Sequence, residues 1–170
     1  MMEVLFYIAG LIALVATIAA LTRPNAAHAL IYLIVSLLAV AVLFFLMGAP
    51  FAAALEIVIY AGAIMVLFIF VIMMLNLGDA GVSREQQLLA GRSWILPGIM
   101  AALLLLELLL AMDNASGTTS GNAVDPKAVG ITLFGPYVLA VEIASMLLMA
   151  GLVGAYHLGR RFIVRREERQ

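Results

Sequence analysis

Three carboxylates lie inside long apolar stretches of the sequence: Glu56, Glu107 and Glu142. An ionised acid at the centre of a bilayer costs roughly 2.5 kcal/mol or more on insertion scales, so such a residue is usually protonated, paired or beside water. Holding or passing a proton is the chemistry that these side chains could perform there. Each is therefore a candidate for a proton path through a membrane.

The surroundings of the acids in the sequence differ. Glu107 stands in a run of leucines without polar neighbours, near the end of its stretch, which favours an acid that reaches water or lipid headgroups. Glu142 is flanked by the small residues Ala140 and Ala144, and Ser145 follows closely, a pattern typical of helix packing. For Glu142 a functional role and a packing role both remain open.

The stretch around Glu56 is the most informative. Glu56 and Tyr60 are four residues apart, so a helix places both side chains on one face. Residues 61–63 are all small, which permits close approach of a second helix, and Gly62 weakens the helical preference. Such a span can hold a π-bulge, and the Tyr60 phenol could relay a proton between waters. Ordinary tight packing, with Tyr60 as a hydrogen-bonded core residue, explains the same pattern, so both interpretations stay open.

These residues belong to a chain whose composition indicates a lipid environment. Of its 170 residues, 66% are hydrophobic and 11% are charged, whereas soluble domains have roughly a quarter charged. Apolar spans of about 20 residues predict membrane-crossing helices, because helices satisfy all their backbone hydrogen bonds in lipid. We therefore predict an all-α integral membrane fold of five transmembrane helices in a single domain, 1–170. The spans lie at about 4–21, 26–47, 51–75, 94–112 and 136–158, with polar loops at 76–93 and 113–127 and a basic tail at 159–170.

Basic residues predict the orientation of these helices. With the N-terminus outside, the inner segments carry Arg23, Arg84, Arg92 and the five arginines of 159–170, which are eight of the nine basic residues. Only Lys127 then lies outside. The positive-inside rule places the N-terminus in the periplasm and the C-terminus in the cytoplasm. Since the first span lacks a positively charged start, we expect it to be retained as a helix and not cleaved as a signal peptide.

The sequence also excludes several kinds of site. The chain has no cysteine, so it forms no disulfide, thiolate metal site, Cys-ligated iron–sulfur cluster or cysteine nucleophile. It has no nucleotide-binding glycine motif and no metal-ligand spacing, and a net charge of −1 does not indicate nucleic acid binding. We expect no catalytic residue, no cofactor and no metal in this chain.

Residues 54–76, with the sequence ALEIVIYAGAIMVLFIFVIMMLN, resemble the third helix of one family. That family is subunit J of the bacterial NADH:quinone oxidoreductase, respiratory complex I, whose mitochondrial counterpart is called subunit 6. Residues 28–38 are similar to its second helix and residues 127–151 to its fifth. The likeness extends over most of the chain, although the fourth span and the tail contribute little to it.

The resemblance implies a non-catalytic place in the membrane arm of a proton-translocating complex in the bacterial inner membrane. Partner subunits of the A, K, H and N types would adjoin the chain, and the FMN, iron–sulfur clusters and quinone would lie on partner chains. In the family, the third helix carries a π-bulge near the segment matching 60–65. Its winding and unwinding is thought to open a water path between the quinone site and the antiporter-like subunits. The resemblance implies these proton-path or gate residues: Glu56, Tyr60, Gly62, Met65, Phe68 and Glu142.

Alternatives to this function remain. Because the electron-input module lies on other chains, the equivalent subunit of a plastoquinone- or F420-linked dehydrogenase, or of a membrane-bound hydrogenase, fits the same sequence. A self-contained small transporter would account for the intramembrane acids, but the sequence shows no inverted repeat and no paired broken helices. A purely structural subunit, needed only for assembly, is the third alternative.

Overall fold

The described part of the chain is helical. The computed structural model describes residues 2–75, 94–113 and 123–167, and within these ranges it contains no strand. The third helix consists of three consecutive segments. The helices are α1 (Met2–Thr22), α2 (Ala26–Leu46), α3 (Pro50–Leu55, Glu56–Ile64 and Met65–Leu75), α4 (Ile95–Asp113), α5 (Pro126–Phe134) and α6 (Val138–Glu167). Over the described residues, five helices are long and apolar enough to cross a membrane, which confirms the predicted five-helix fold.

Some parts of the sequence prediction extend beyond what the structure describes. The loop at 76–93 lies outside the described residues, as do 114–122. The orientation of the termini relative to the membrane stays a prediction. Helix α6 continues to Glu167 and so includes much of the predicted basic tail. The chain separates into two units, Met1–Val124 and Asp125–Gln170, and the assignment of one membrane domain also stays a prediction.

Helices α1, α2 and α4 of the first unit share a buried seam. Its residues recur at alternating spacings of three and four, the pattern of helices that pack side by side at about +20°. Many of them are alanines, which let helix backbones approach closely. The seam consists of Leu5, Ala9, Ile12 and Ala16 on α1, Val35, Ala39, Val42 and Leu46 on α2, and Pro97, Met100, Leu104, Glu107 and Ala111 on α4.

Polar contacts tie α1 to α2. The hydroxyl oxygens of Thr17 and Ser36 lie 2.8 Å apart, and the Ser36 hydroxyl donates to the Ala13 carbonyl oxygen at 3.1 Å. In the turn that joins the helices, the Arg23 guanidinium donates to the Tyr32 hydroxyl at 3.3 Å and lies 5.1 Å from the centre of its ring. Interhelical bonds of this kind contribute about 0.6 kcal/mol each on average, so they fix the register of the pair more than its stability.

Helix α2 ends in a Schellman motif at Gly48. The Gly48 N–H donates to the Phe45 carbonyl at 3.1 Å and the Ala49 N–H to the Phe44 carbonyl at 2.9 Å. Gly48 has a φ of +82°, a conformation that glycine adopts without the steric cost of a Cβ. Pro50 then begins α3, since the first turn of a helix needs no N–H donor. These residues set the tight turn between α2 and α3.

We expect Gly48→Ala to lower the free energy of unfolding by roughly 1 kcal/mol, because an L-residue is strained in this left-handed conformation. Space is not the cause, since the nearest atom to an added Cβ is the Ala123 Cα at 3.9 Å. Gly48→Asn is the matched control and should lose less, because asparagine tolerates this region. Unfolding of the purified chain in detergent, followed by circular dichroism, measures both variants. Equal losses in alanine and asparagine variants would contradict the backbone argument.

Candidate functional site

The middle of α3 is a π-helix. Residues Glu56–Ile64 form a stretch of 9 residues between two α-helical segments. At its end the Met65 N–H donates to the Tyr60 carbonyl, five residues earlier, as well as to that of Gly62. The predicted π-bulge in this helix is confirmed, but it begins about one turn before the 60–65 segment that the resemblance indicates. Such segments are rare and occur often at functional sites.

Gly62 occupies a tight position in this π-helix. A Cβ added there would lie 3.1 Å from the Ile57 carbonyl oxygen, five residues earlier. Because that oxygen belongs to the backbone, the helix itself would have to move by a few tenths of an ångström. Glycine has no Cβ and so avoids this contact with the Ile57 carbonyl oxygen. Gly62 is therefore compatible with the π form of the helix without a backbone shift.

Five of the six predicted gate residues, Gly62 among them, lie in α3. Glu56 is half-buried at the start of the π-helix, and Tyr60, in its middle, is 50% exposed. Among the described residues, no hydrogen bond joins the side chains of Glu56 and Tyr60. Met65, the first residue after the π-helix, is only 8% exposed, whereas Phe68 is 51% exposed. Met65 therefore packs within the chain, and Phe68 points outward.

Glu142 belongs to the second unit and lies in α6. Its side chain is exposed, and its carbonyl accepts a hydrogen bond from the Ser145 hydroxyl at 2.8 Å. This contact is local to the helix. The grouping of Glu142 with the residues of α3 therefore stays a prediction.

Glu107 lies elsewhere than the sequence indicates. The expected contact with water or headgroups is wrong: the side chain is 2% exposed, in the seam of α4 with α1 and α2. Neither of its carboxyl oxygens has a hydrogen-bond partner in the described part of the chain. Composition could not show this, because nearly every neighbour of Glu107 is leucine. The available signal was its spacing of three residues from Leu104 and four from Ala111, on one helix face.

Comparisons with known proteins give the family. Residues 16–158 match the family model described as NADH-ubiquinone/plastoquinone oxidoreductase chain 6. The chain is 56% identical over 160 residues to NADH-quinone oxidoreductase subunit J of Escherichia coli (strain K12), which covers 94% of this chain and 87% of that protein. It is 56% identical over 162 residues to the subunit J of Pseudomonas aeruginosa PAO1, covering 94% and 98% of the two chains. For the subunit J of Buchnera aphidicola subsp. Acyrthosiphon pisum the identity is 46% over 159 residues, covering 93% and 94%. This chain belongs to the NADH-ubiquinone/plastoquinone oxidoreductase chain 6 family.

Proposed function

We propose that this chain is a membrane-arm subunit of a proton-translocating NADH–quinone oxidoreductase and couples quinone reduction to proton translocation. Family membership and the five membrane-length helices support this assignment. On this proposal the chain lies in the bacterial inner membrane, among lipid and partner subunits of the A, K, H and N types. FMN, iron–sulfur clusters and quinone are bound by those partners, in keeping with a chain that has no cysteine.

The π-helix at Glu56–Ile64 is the observation that carries the coupling proposal. A π-helix that returns to α-helical winding turns the residues on one side of it by up to about 100°, the rotation of one residue. Met65 and Phe68 then exchange their surroundings, because one is buried and the other exposed in the π form. Apolar side chains that move in this way close a water path when they enter it and open the path when they leave.

Polar groups in the same segment support a water path beside it. The exposed Tyr60 hydroxyl is free to bond water or a partner subunit, and Glu56 lies four residues before it. Protons pass along waters that reach these groups and stop where apolar side chains exclude water. The change of α3 between π and α-helical winding requires no change in the charge of this chain. Glu142, on α6, is a further proton-path candidate or pairs with a neighbouring subunit.

A native gel tests the assignment. Membranes that contain the tagged chain are extracted in mild detergent, and the gel is stained for NADH dehydrogenase activity. We expect the chain to co-migrate with a large active band. A small inactive species, with the complex intact elsewhere on the gel, would contradict the proposal. A large band without NADH activity would favour the related complexes with another electron input, in line with the plastoquinone that the family description also names.

A further inference from the structure

Glu107 has no part in the proposed gate, yet it is buried in the seam of α4 with α1 and α2. Ser36 is also buried there, and its hydroxyl bonds the Ala13 carbonyl, whereas both Glu107 oxygens lack a partner among the described residues. We propose that Glu107 is a proton-binding site. It is held in the seam as a neutral carboxylic acid and loses its proton only when α4 separates from the other two helices.

Burial without a partner argues for the neutral form. A carboxylate that is removed from water needs a cation or several hydrogen-bond donors, and without them the group takes up a proton. The adjacent positions on the same face of α4, Leu104 and Ala111, are apolar, and so are the seam residues of α1 at 5, 9, 12 and 16. These surroundings accommodate a carboxylic acid but not its anion.

The titratable groups of the packed helices do not compensate a charge on Glu107. On α1, Glu3 and Tyr7 are exposed. On α2, Tyr32 accepts a hydrogen bond from Arg23, next to the start of that helix.

His28 lies in the first turn of α2. Glu107, in contrast, lies in the last two turns of α4. Val124, the second described residue after α4, donates its N–H to the Gly48 carbonyl at 2.9 Å, at the opposite end of α2 from His28. Within the described residues, Glu107 forms no ion pair or hydrogen bond with any of these groups.

Proton binding links the packing of α4 to pH. The packed seam holds the proton and the separated seam releases it, so a rise in pH favours separation. The seam is tight while Glu107 is neutral and weakens under alkaline conditions. This behaviour concerns the packing of the chain's own helices, and it holds whether or not α3 gates a water path.

Infrared spectroscopy of the full chain, purified with its partner subunits, tests the neutral acid. The wild type should show the carbonyl stretch of a protonated carboxylic acid without a hydrogen-bond partner. Both Glu107→Gln and Glu107→Met should lose this band, and the matched control Glu142→Gln, at an exposed acid, should keep it. A spectrum that is the same in the wild type and both Glu107 variants would overturn the proposal.

A thiol reporter tests whether the proton on Glu107 is linked to the packing of α4. Because this chain has no native cysteine, maleimide bound to this chain reports only the introduced thiol. Ala111→Cys places a thiol in the seam, at a position with 0% exposure. The rate at which maleimide labels this variant is divided by the rate for the double variant that also carries Glu107→Met. This division cancels the pH dependence that comes from ionisation of the thiol itself. The ratio should rise with pH, by up to about tenfold per pH unit for one proton. A ratio that stays constant with pH would overturn the proposal.

Discussion

Gly62→Val is expected to lower coupled NADH–quinone turnover by about tenfold in an assembled complex. The added Cβ would lie 3.1 Å from the Ile57 carbonyl oxygen, and the branched methyl groups crowd the π-helix further. Overpacking of this kind costs roughly 1–3 kcal/mol, and 1.4 kcal/mol changes a two-state population tenfold. The substitution should therefore favour α-helical winding of α3 over the π form and hold the proposed gate in one state.

The measurement compares two activities of the same membranes. Quinone-coupled turnover should fall, while NADH oxidation by an artificial acceptor, which does not require the membrane arm, should stay near the wild-type rate. Gly98→Val is the matched control, because an added Cβ at Gly98 in α4 meets no atom within 4 Å. Normal coupled turnover in the assembled Gly62 variant would remove this residue from the mechanism, and equal loss of both activities would indicate failed assembly instead.

Tyr60→Phe should lower proton pumping and quinone reduction severalfold and leave NADH oxidation by an artificial acceptor nearly unchanged. The substitution keeps the ring and removes only the hydroxyl, which projects from the middle of the π-helix on a side chain that is 50% exposed. If that hydroxyl bonds the waters of a proton path, its loss interrupts the path without changing the packing of α3.

Proton uptake into membrane vesicles, followed with a pH-sensitive dye, measures this effect. Tyr7→Phe is the matched control, since Tyr7 is also exposed on a membrane-length helix but lies on α1, outside the π-helix. Pumping that is unchanged in the Tyr60 variant would show that the hydroxyl is not on the path. A similar loss in both tyrosine variants would indicate a general effect on the membrane surface of the chain.

Much of the fold follows from local sequence. Apolar length fixes the membrane-crossing helices, because a bilayer sets how many residues a helix needs to cross it. The sequence also predicts the turn after α2, since Gly48 and Pro50 mark the end of one helix and the start of the next. The π-helix is a different case. The residues around Gly62 permit either a π-bulge or ordinary packing, and only the resemblance to a known family favoured the bulge before the structure showed it.

The tertiary structure decided which helix faces pack together. It buried Glu107 where the sequence indicated contact with water, and it left Tyr60 exposed where one interpretation expected a core residue. In water the apolar face of a helix identifies its buried side, but lipid tails are as apolar as leucine, so a membrane helix need not separate polar from apolar faces. Helix α4, almost uniformly aliphatic, shows this most clearly. The sequence alone therefore determined which segments enter the membrane, and tertiary contacts determined which of their side chains meet.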